Sequence, residues 1–261
     1  MPTTTDAFIS QAGELKGELI AQGRRVLALV EASFDAVFSG ERARAQAVAK
    51  SDDEIDTADV AIEKACVQLL TDATAGDGIV GATLGSDRLR EVLMLAKINN
   101  ELERIADAGV DVAELVVEGD SGGGAGAGGG AGGGGANVGT TRMGRGGCPD
   151  TFMVMANSVI GILRDTNHAV ARNDAAMAKV VLQSQHAVTA FKRAILKDAE
   201  QKIARGTMSV DFAFRLHEIA SQCELIADHC TNIAEQVIYQ TTGAIVRHME
   251  HRWVEIPTAK P

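Results

Sequence analysis

The chain has 261 residues, 46% of them apolar but only 3% aromatic, and a formal net charge of −10. An interior of Ala, Val, Ile and Leu with almost no rings suits closely packed helices better than a sandwich with aromatic layers. The acidic balance, with no long Lys/Arg run, excludes direct nucleic-acid binding through clustered phosphate contacts and leaves cations or a basic patch on a partner protein as counterparts.

The first half reads as three helices. Helix 1 runs from about Asp6 to Phe38, with Leu15, Leu19, Val26, Leu29, Val30, Phe34 and Val37 recurring at three- and four-residue steps. Ser39-Gly40 stops it, because Gly accepts the left-handed conformation that closes a helix. Helix 2 follows from about Glu41 to Thr74, with Val48, Ile55, Ile62, Cys66 and Leu69 on one side. Residues 75–86 read as a loop, and Ser86 or Asp87 caps helix 3, which continues to about Glu118. Gly119 to Gly147 is dominated by glycine and reads as a flexible connector. It has neither the GxxxxGK[ST] order nor a preceding strand, so it is not a phosphate loop.

The second half repeats the plan. Helix 4 runs from about Asp150 to Ala171, and Asn173-Asp174 supplies a turn and a cap. Helix 5 runs to about Ala204 and ends at Gly206. Ser209 caps helix 6, which runs to about His248. No period-2 segment stands out, and the tail from His251 carries no periodicity. The expected fold class is all-α: two tandem antiparallel three-helix bundles. The expected domains are residues 1–118, a linker over 119–149, a second bundle over 150–250, and a tail over 251–261.

The longest strongly apolar stretch, Phe152 to Leu163, falls short of the ~20 residues that span a bilayer. With no secretory leader pattern, this predicts a cytoplasmic protein without direct membrane insertion. Cys66, Cys148, Cys223 and Cys230 form no CxxC pair and read as free thiols in a reducing compartment.

One line of helix occurs twice: Glu103-Arg-Ile-Ala-Asp107 in the first half and Glu224-Leu-Ile-Ala-Asp228 in the second. The flanking apolar seam recurs in register. Leu95, Ile98, Leu102, Ile105, Gly109, Val112 and Val116 answer to Leu216, Ile219, Cys223, Ile226, Cys230, Ile233 and Val237. This is an internal duplication. In each copy two carboxylates stand one helical turn apart at the edge of the buried stripe, where they repel unless a cation lies between them. Helix 2 adds an acidic stripe of Asp52, Asp56, Asp59 and Glu63. An antiparallel hairpin of helices 2 and 3 would bring Asp52 and Asp56 toward Glu103 and Asp107. Such an all-oxygen set suits hard cations such as Mg²⁺, Ca²⁺, Mn²⁺ or iron. The residues alone fit a solvated acidic face equally well.

Catalytic readings find less support. A di-iron carboxylate centre wants Glu-x-x-His on two helices, and the chain has no Glu-x-x-His. His186, His217 and His229 read as surface or partly buried residues rather than ligands. No GxSxG occurs, and no cysteine has an evident cationic activator. No catalytic residue is assigned, and the chain is not read as an enzyme.

Three segments resemble the PhoU family. Ser51-Asp-Asp-Glu-Ile-Asp-Thr-Ala-Asp-Val-Ala-Ile-Glu-Lys-Ala-Cys66 is similar to its second helix, Asn100-Glu-Leu-Glu-Arg-Ile-Ala-Asp107 to its third, and Cys223-Glu-Leu-Ile-Ala-Asp228 to the duplicate. The likeness covers most of the chain outside the glycine connector and tail. It implies two three-helix bundles, often dimeric, that bind multinuclear metal clusters through E(D)xxxD motifs. It further implies a regulator of phosphate uptake and signalling that acts on a phosphate transporter ATPase, a sensor histidine kinase, or both. By resemblance, Asp52, Asp56, Glu103 and Asp107 would be metal ligands in the first bundle, and Glu224 and Asp228 in the second. The metal could be iron, zinc, manganese or magnesium. The alternative use of the same carboxylates is a metal enzyme or metal-storage bundle. Helix 5 departs from the pattern, offering Gln185 and Thr189 where carboxylates are expected, which marks a divergent member with a half-missing second site.

Overall fold

The structure, a computed structural model, describes residues 5–74, 86–119, 143–144, 147–249 and 252–256. Among these, six long helices follow one another: α1 Thr5–Ser39, α2 Arg42–Thr74, α3 Ser86–Gly119, α4 Asp150–Arg172, α5 Ala175–Ala204 and α6 Val210–Thr242. All of the expected loop over 75–86 but Ser86, and most of the glycine connector, lie outside the described residues.

Local chemistry sets the helix ends. Gly40 (φ 68°) closes α1 in the left-handed region, and its bare Cα faces the Met143 carbonyl, 2.5 Å from where a Cβ would stand. Asn173 takes the same role after α4 (φ 51°), with its N–H donating to Val170 O. Asp174 then caps α5 by accepting from the N–H groups of Ala176 and Met177, and Ser209 caps α6 through Phe212 N–H.

Within each half the three helices pack on one another: α1, α2 and α3 in the first, α4, α5 and α6 in the second. The duplicated seam residues are buried in both copies, and the buried apolar residues of the two halves form one connected core. The halves meet along two antiparallel pairs, α1 with α4 and α3 with α6. On the first, Lys16 Nζ donates to Asn173 Oδ1 (2.7 Å), Asn167 Nδ2 to Gly23 O (2.7 Å) and Arg164 to Glu31 (2.9 Å). Phe152 lies edge-on to Phe34, with ring centroids 6.5 Å apart, and tilted against Phe38 at 5.6 Å. On the second, Gln222 Nε2 donates to Asp111 (2.9 Å), and the Arg90 guanidinium sits over the Tyr239 ring at 5.2 Å.

One expectation is corrected at the C-terminus. Helix 6 does not run to His248: Gly243 (φ 70°) ends it at Thr242. Residues expected to carry no alternating pattern form an antiparallel hairpin, β1 Ile245–Met249 with β2 Arg252–Ile256, pairing Ile245 with Ile256 and His248 with Trp253. Five-residue strands are too short for a period-2 signal to emerge beside the end of a long helix. Val246 of β1 is buried, which ties the hairpin to the α-helical core. The fold remains a helical one.

Candidate metal centre

The α2–α3 hairpin brings the first-half carboxylates together as the spacing predicts. Asp52, Asp56 and Asp59 on α2 face Glu103 and Asp107 on α3, closely enough that each row raises proton affinity in the other. Burial, then Asp56, Asp107 and neighbouring Asp53, push the Asp52 carboxyl up to about 6. Burial first, then Glu63, Asp56 and Asp107, also hold Asp59 above the usual carboxylate range. Glu103 is raised by burial, by Asp107 and Asp59, and by a hydrogen bond shared with Asp107. Asp107 is raised by burial and then Asp56, against the opposing pull of that shared bond and of Arg104. Carboxylates that repel across a hairpin raise one another's proton affinity, and positive charge placed between them would relieve that repulsion.

Two oxygens in this cluster are buried without a hydrogen-bond partner, Asp52 Oδ1 and Asn99 Oδ1. Asn99 is fully enclosed, and its Nδ2 donates to both the backbone carbonyl (3.0 Å) and the carboxylate (2.6 Å) of Asp59. Among the described residues, none of Asp52, Asp56, Asp59, Glu103 and Asp107 has an ion-pair partner. The donor set is thus oxygen-only, anionic and short of positive charge, which fits a hard cation. In the arrangement described, no three His, Cys, Asp or Glu side chains among the described residues converge tightly enough to enclose one ion.

The second-half pair is built differently. Glu224 and Asp228 again stand one turn apart on α6, but α5 supplies them with protein partners. Thr189 Oγ1 donates to Glu224 Oε1 (2.8 Å), Lys192 Nζ donates to Glu224 Oε2 (2.7 Å), and Gln185 Nε2 donates to Asp228 Oδ1. Burial acts to raise the Glu224 carboxyl, yet the bonds from Lys192 and Thr189 and the charges of Lys192 and Arg193 outweigh it and hold Glu224 below its ordinary value. Asp228 stays raised, by burial above all, with Gln185 opposing and Glu224 adding to the shift.

Three contributors escape a reading of the sequence. Asn99 stands one turn before Glu103 on the same face, a position that signals membership of the site only once the hairpin is formed. Lys192 stands one turn after Thr189, where it reads as an ordinary surface lysine. His229, expected as a surface or partly buried residue, is buried between the halves. Its Nδ1 lies 2.7 Å from Glu101 Oε2, which also accepts from Asn232 Nδ2 at 2.9 Å. His186 is exposed. Cys66, Cys223 and Cys230 are buried free thiols, with Cys148 half-buried, and burial raises all four.

Comparison with known proteins agrees with the duplicated architecture. The chain is 26% identical over 246 residues to a phosphate-specific transport system accessory protein PhoU homolog of Pseudomonas putida, covering 93% of this chain and 83% of that protein. It is 25% identical to the corresponding homolog of Pseudomonas aeruginosa, covering 93% and 88%. Its fold matches the crystal structure of PhoU from Pseudomonas aeruginosa with a TM-score of 0.74 at 22% identity, over 90% of this chain and 99% of that one. It also matches the phosphate transport system regulatory protein PhoU from Streptococcus pneumoniae with a TM-score of 0.73 at 20% identity, over 92% and 100%. The PhoU domain model matches twice, over residues 19–116 and 152–237, one match to each half of the duplication, and the chain belongs to the PhoU family.

Proposed function

We propose that this protein is a non-catalytic, metal-binding regulator of phosphate uptake and phosphate-responsive signalling. It acts in the cytoplasm, as a homodimer, on a phosphate ABC transporter ATPase, a sensor histidine kinase, or both. The relatives' role as phosphate-specific transport system accessory proteins supports the pathway. Among the described residues no helix is long and apolar enough to cross a membrane, so contact with a transporter would run through a protein surface.

The observation that carries the metal part is the α2–α3 cluster: five facing carboxylates, a buried unpartnered Asp52 oxygen and, among the described residues, no ion-paired cation. Asp52, Asp56, Glu103 and Asp107 would hold the ion, with Asp59 and Asn99 at the edge of the set. A bound cation supplies positive charge that cancels the repulsion between the rows. The residues do the rest: Asn99 fixes the register of α2 on α3, and the rigid helices place the carboxylates on one outer face.

Metal content of the purified protein, measured beside Asp52→Ala/Glu103→Ala, tests this reading. Wild-type protein should carry metal that the double variant lacks, and equal content in both would remove the metal. Affinity capture of the intact protein from its own cells should recover phosphate-transport or sensor components. Turnover with iron(II) and oxygen, or with phosphate esters, that is lost in Glu103→Ala would favour a metal enzyme or storage protein instead.

A further inference from the structure

The two halves can be aligned without reference to any other protein. Gly40 and Asn173 both close a first helix in the left-handed region. Counting onward from each sets Ala45, Val48, Ile55, Ile62 and Cys66 of α2 against Ala178, Val181, Val188, Ile195 and Ala199 of α5, and all ten are buried. In that register Asp52 answers to Gln185, Asp56 to Thr189 and Asp59 to Lys192. The α3 and α6 carboxylates are kept, Glu103 as Glu224 and Asp107 as Asp228. These three helix-2 carboxylates are replaced by hydrogen-bond donors, and one replacement reverses the charge.

The replacements are not idle. Each α5 side chain donates to an α6 carboxylate: Gln185 to Asp228, Thr189 and Lys192 to the two oxygens of Glu224. The Lys192 and Glu224 side chains are 20% and 26% exposed, so the ion pair is largely shielded from water. Both oxygens of Glu224 are used by protein donors, and an ammonium stands on one of them.

We infer that Lys192 is a tethered cation that takes the place of a metal ion in the second half, so that Glu224 and Asp228 hold α5 to α6 without binding metal. The inference rests on the metal reading of the first half only for its contrast. It makes the protein asymmetric: α2–α3 answers to metal supply, whereas α5–α6 keeps its geometry without it. Removing metal then loosens one half and leaves the other as a fixed frame.

The test uses the full chain with the first site disabled by Asp52→Asn/Glu103→Gln. Manganese(II) chloride is the probe, with bound ions counted by electron paramagnetic resonance and Tm read in EDTA and in manganese. With Lys192 intact, this background should bind no Mn²⁺ and show the same Tm in both buffers. Stoichiometric Mn²⁺ that disappears on Glu224→Gln would overturn the inference. In EDTA, Lys192→Met should lower Tm by roughly 3–6 °C, while Lys192→Arg should keep most of it. An unchanged Tm in Lys192→Met would overturn the tethered-cation role. Should Lys192→Met fail to fold, the pair Lys192→Met/Glu224→Gln, which leaves no charge unpartnered, is expected to fold; its failure as well would overturn the role. A wild-type protein that binds no Mn²⁺ would count against the first-half metal reading alone, since the EDTA measurements do not depend on it.

Discussion

Asn99 on α3 bonds to Asp59 on α2 twice through one nitrogen, at 3.0 Å to the backbone carbonyl and 2.6 Å to the carboxylate. Because one acceptor is helix backbone, the contact sets the register of α2 against α3 rather than merely joining two side chains. That register decides which α2 carboxylates meet Glu103 and Asp107. Asn99→Leu keeps the volume but removes both bonds; the Asp59 carbonyl keeps its own helix partner and the carboxylate is partly exposed, so the loss should be about 0.5–1.5 kcal/mol. Urea unfolding of the metal-free protein should show a loss of that size with an unchanged m-value. Metal uptake should weaken as well, although the leucine touches no proposed ligand.

The acidic cluster makes a signed pH prediction for Asp52→Asn. Asp52 has a folded-state value near 6, above its unfolded value, so the folded protein holds the extra proton between those limits. Its contribution to stability is present below the unfolded value and is lost as pH rises through about 6. Without metal, wild-type protein should therefore lose stability from pH 5 to pH 7, and Asp52→Asn should lose less. Water screens this half-exposed group, so the gain at pH 7 should be on the order of 1 kcal/mol. It should vanish near pH 4. Parallel thermal melts in EDTA at the three pH values measure it. With metal bound the sign reverses, because the charged carboxylate is then paired.

The helices were legible because their signals are local. Leu102 and Ile105 recur as Cys223 and Ile226, and all four are buried in the two seams. Gly40, Asn173, Asp174 and Ser209 mark helix ends by backbone and capping chemistry that short windows reveal. The Asp52, Asp56, Glu103 and Asp107 cluster was legible for the same reason, since a hairpin of two amphipathic helices admits one packing of their seams. Lys192, Asn99 and the Glu101–His229 contact were not. Each takes its meaning from a partner on another helix, 32, 40 and 128 residues away in sequence. The terminal hairpin was hidden because its strand pattern is five residues long and begins three residues after a helix ends.

Gly23 and Gly17 lie on the same helix and should respond oppositely to alanine. A Cβ at Gly23 would stand 2.5 Å from Asn167 Oδ1, and Asn167 Nδ2 is bonded to the Gly23 carbonyl itself. The asparagine cannot yield without breaking that bond between the halves. Gly23→Ala should cost about 1–3 kcal/mol. At Gly17 nothing lies within 4 Å, and the helical backbone suits alanine. Gly17→Ala should stabilise by about 0.4–1 kcal/mol by narrowing the unfolded ensemble. Denaturant midpoints of the two variants, measured together, give the contrast, and a destabilised Gly17→Ala would count against the α1 geometry.

The contact between the halves carries the opposite pH sign to the acidic cluster of α2 and α3. Burial acts to raise the Glu101 carboxyl, but the bonds from His229 and Asn232 outweigh it, with the charges of His229 and Arg104 helping, and its value lies below the ordinary one. A depressed carboxyl contributes stability that is present above the unfolded value and lost as pH falls through the folded value. Glu101→Gln keeps the shape and removes the charge. Hydrogen bonds to a charged acceptor contribute about 1.5–3 kcal/mol, so the variant should be less stable by up to that amount at pH 7. The deficit should shrink as pH falls through the depressed folded-state value of Glu101, where the wild-type carboxyl is itself protonated. Because Glu101 belongs to α3 while His229 and Asn232 belong to α6, the loss should fall on the joint between the halves. Amide exchange at pH 7 should therefore quicken along the facing stretches of α3 and α6 more than along α2 or α5, whose contacts Glu101 does not touch. Equal quickening in all four helices would mean that the contact stabilises the whole fold and not the joint.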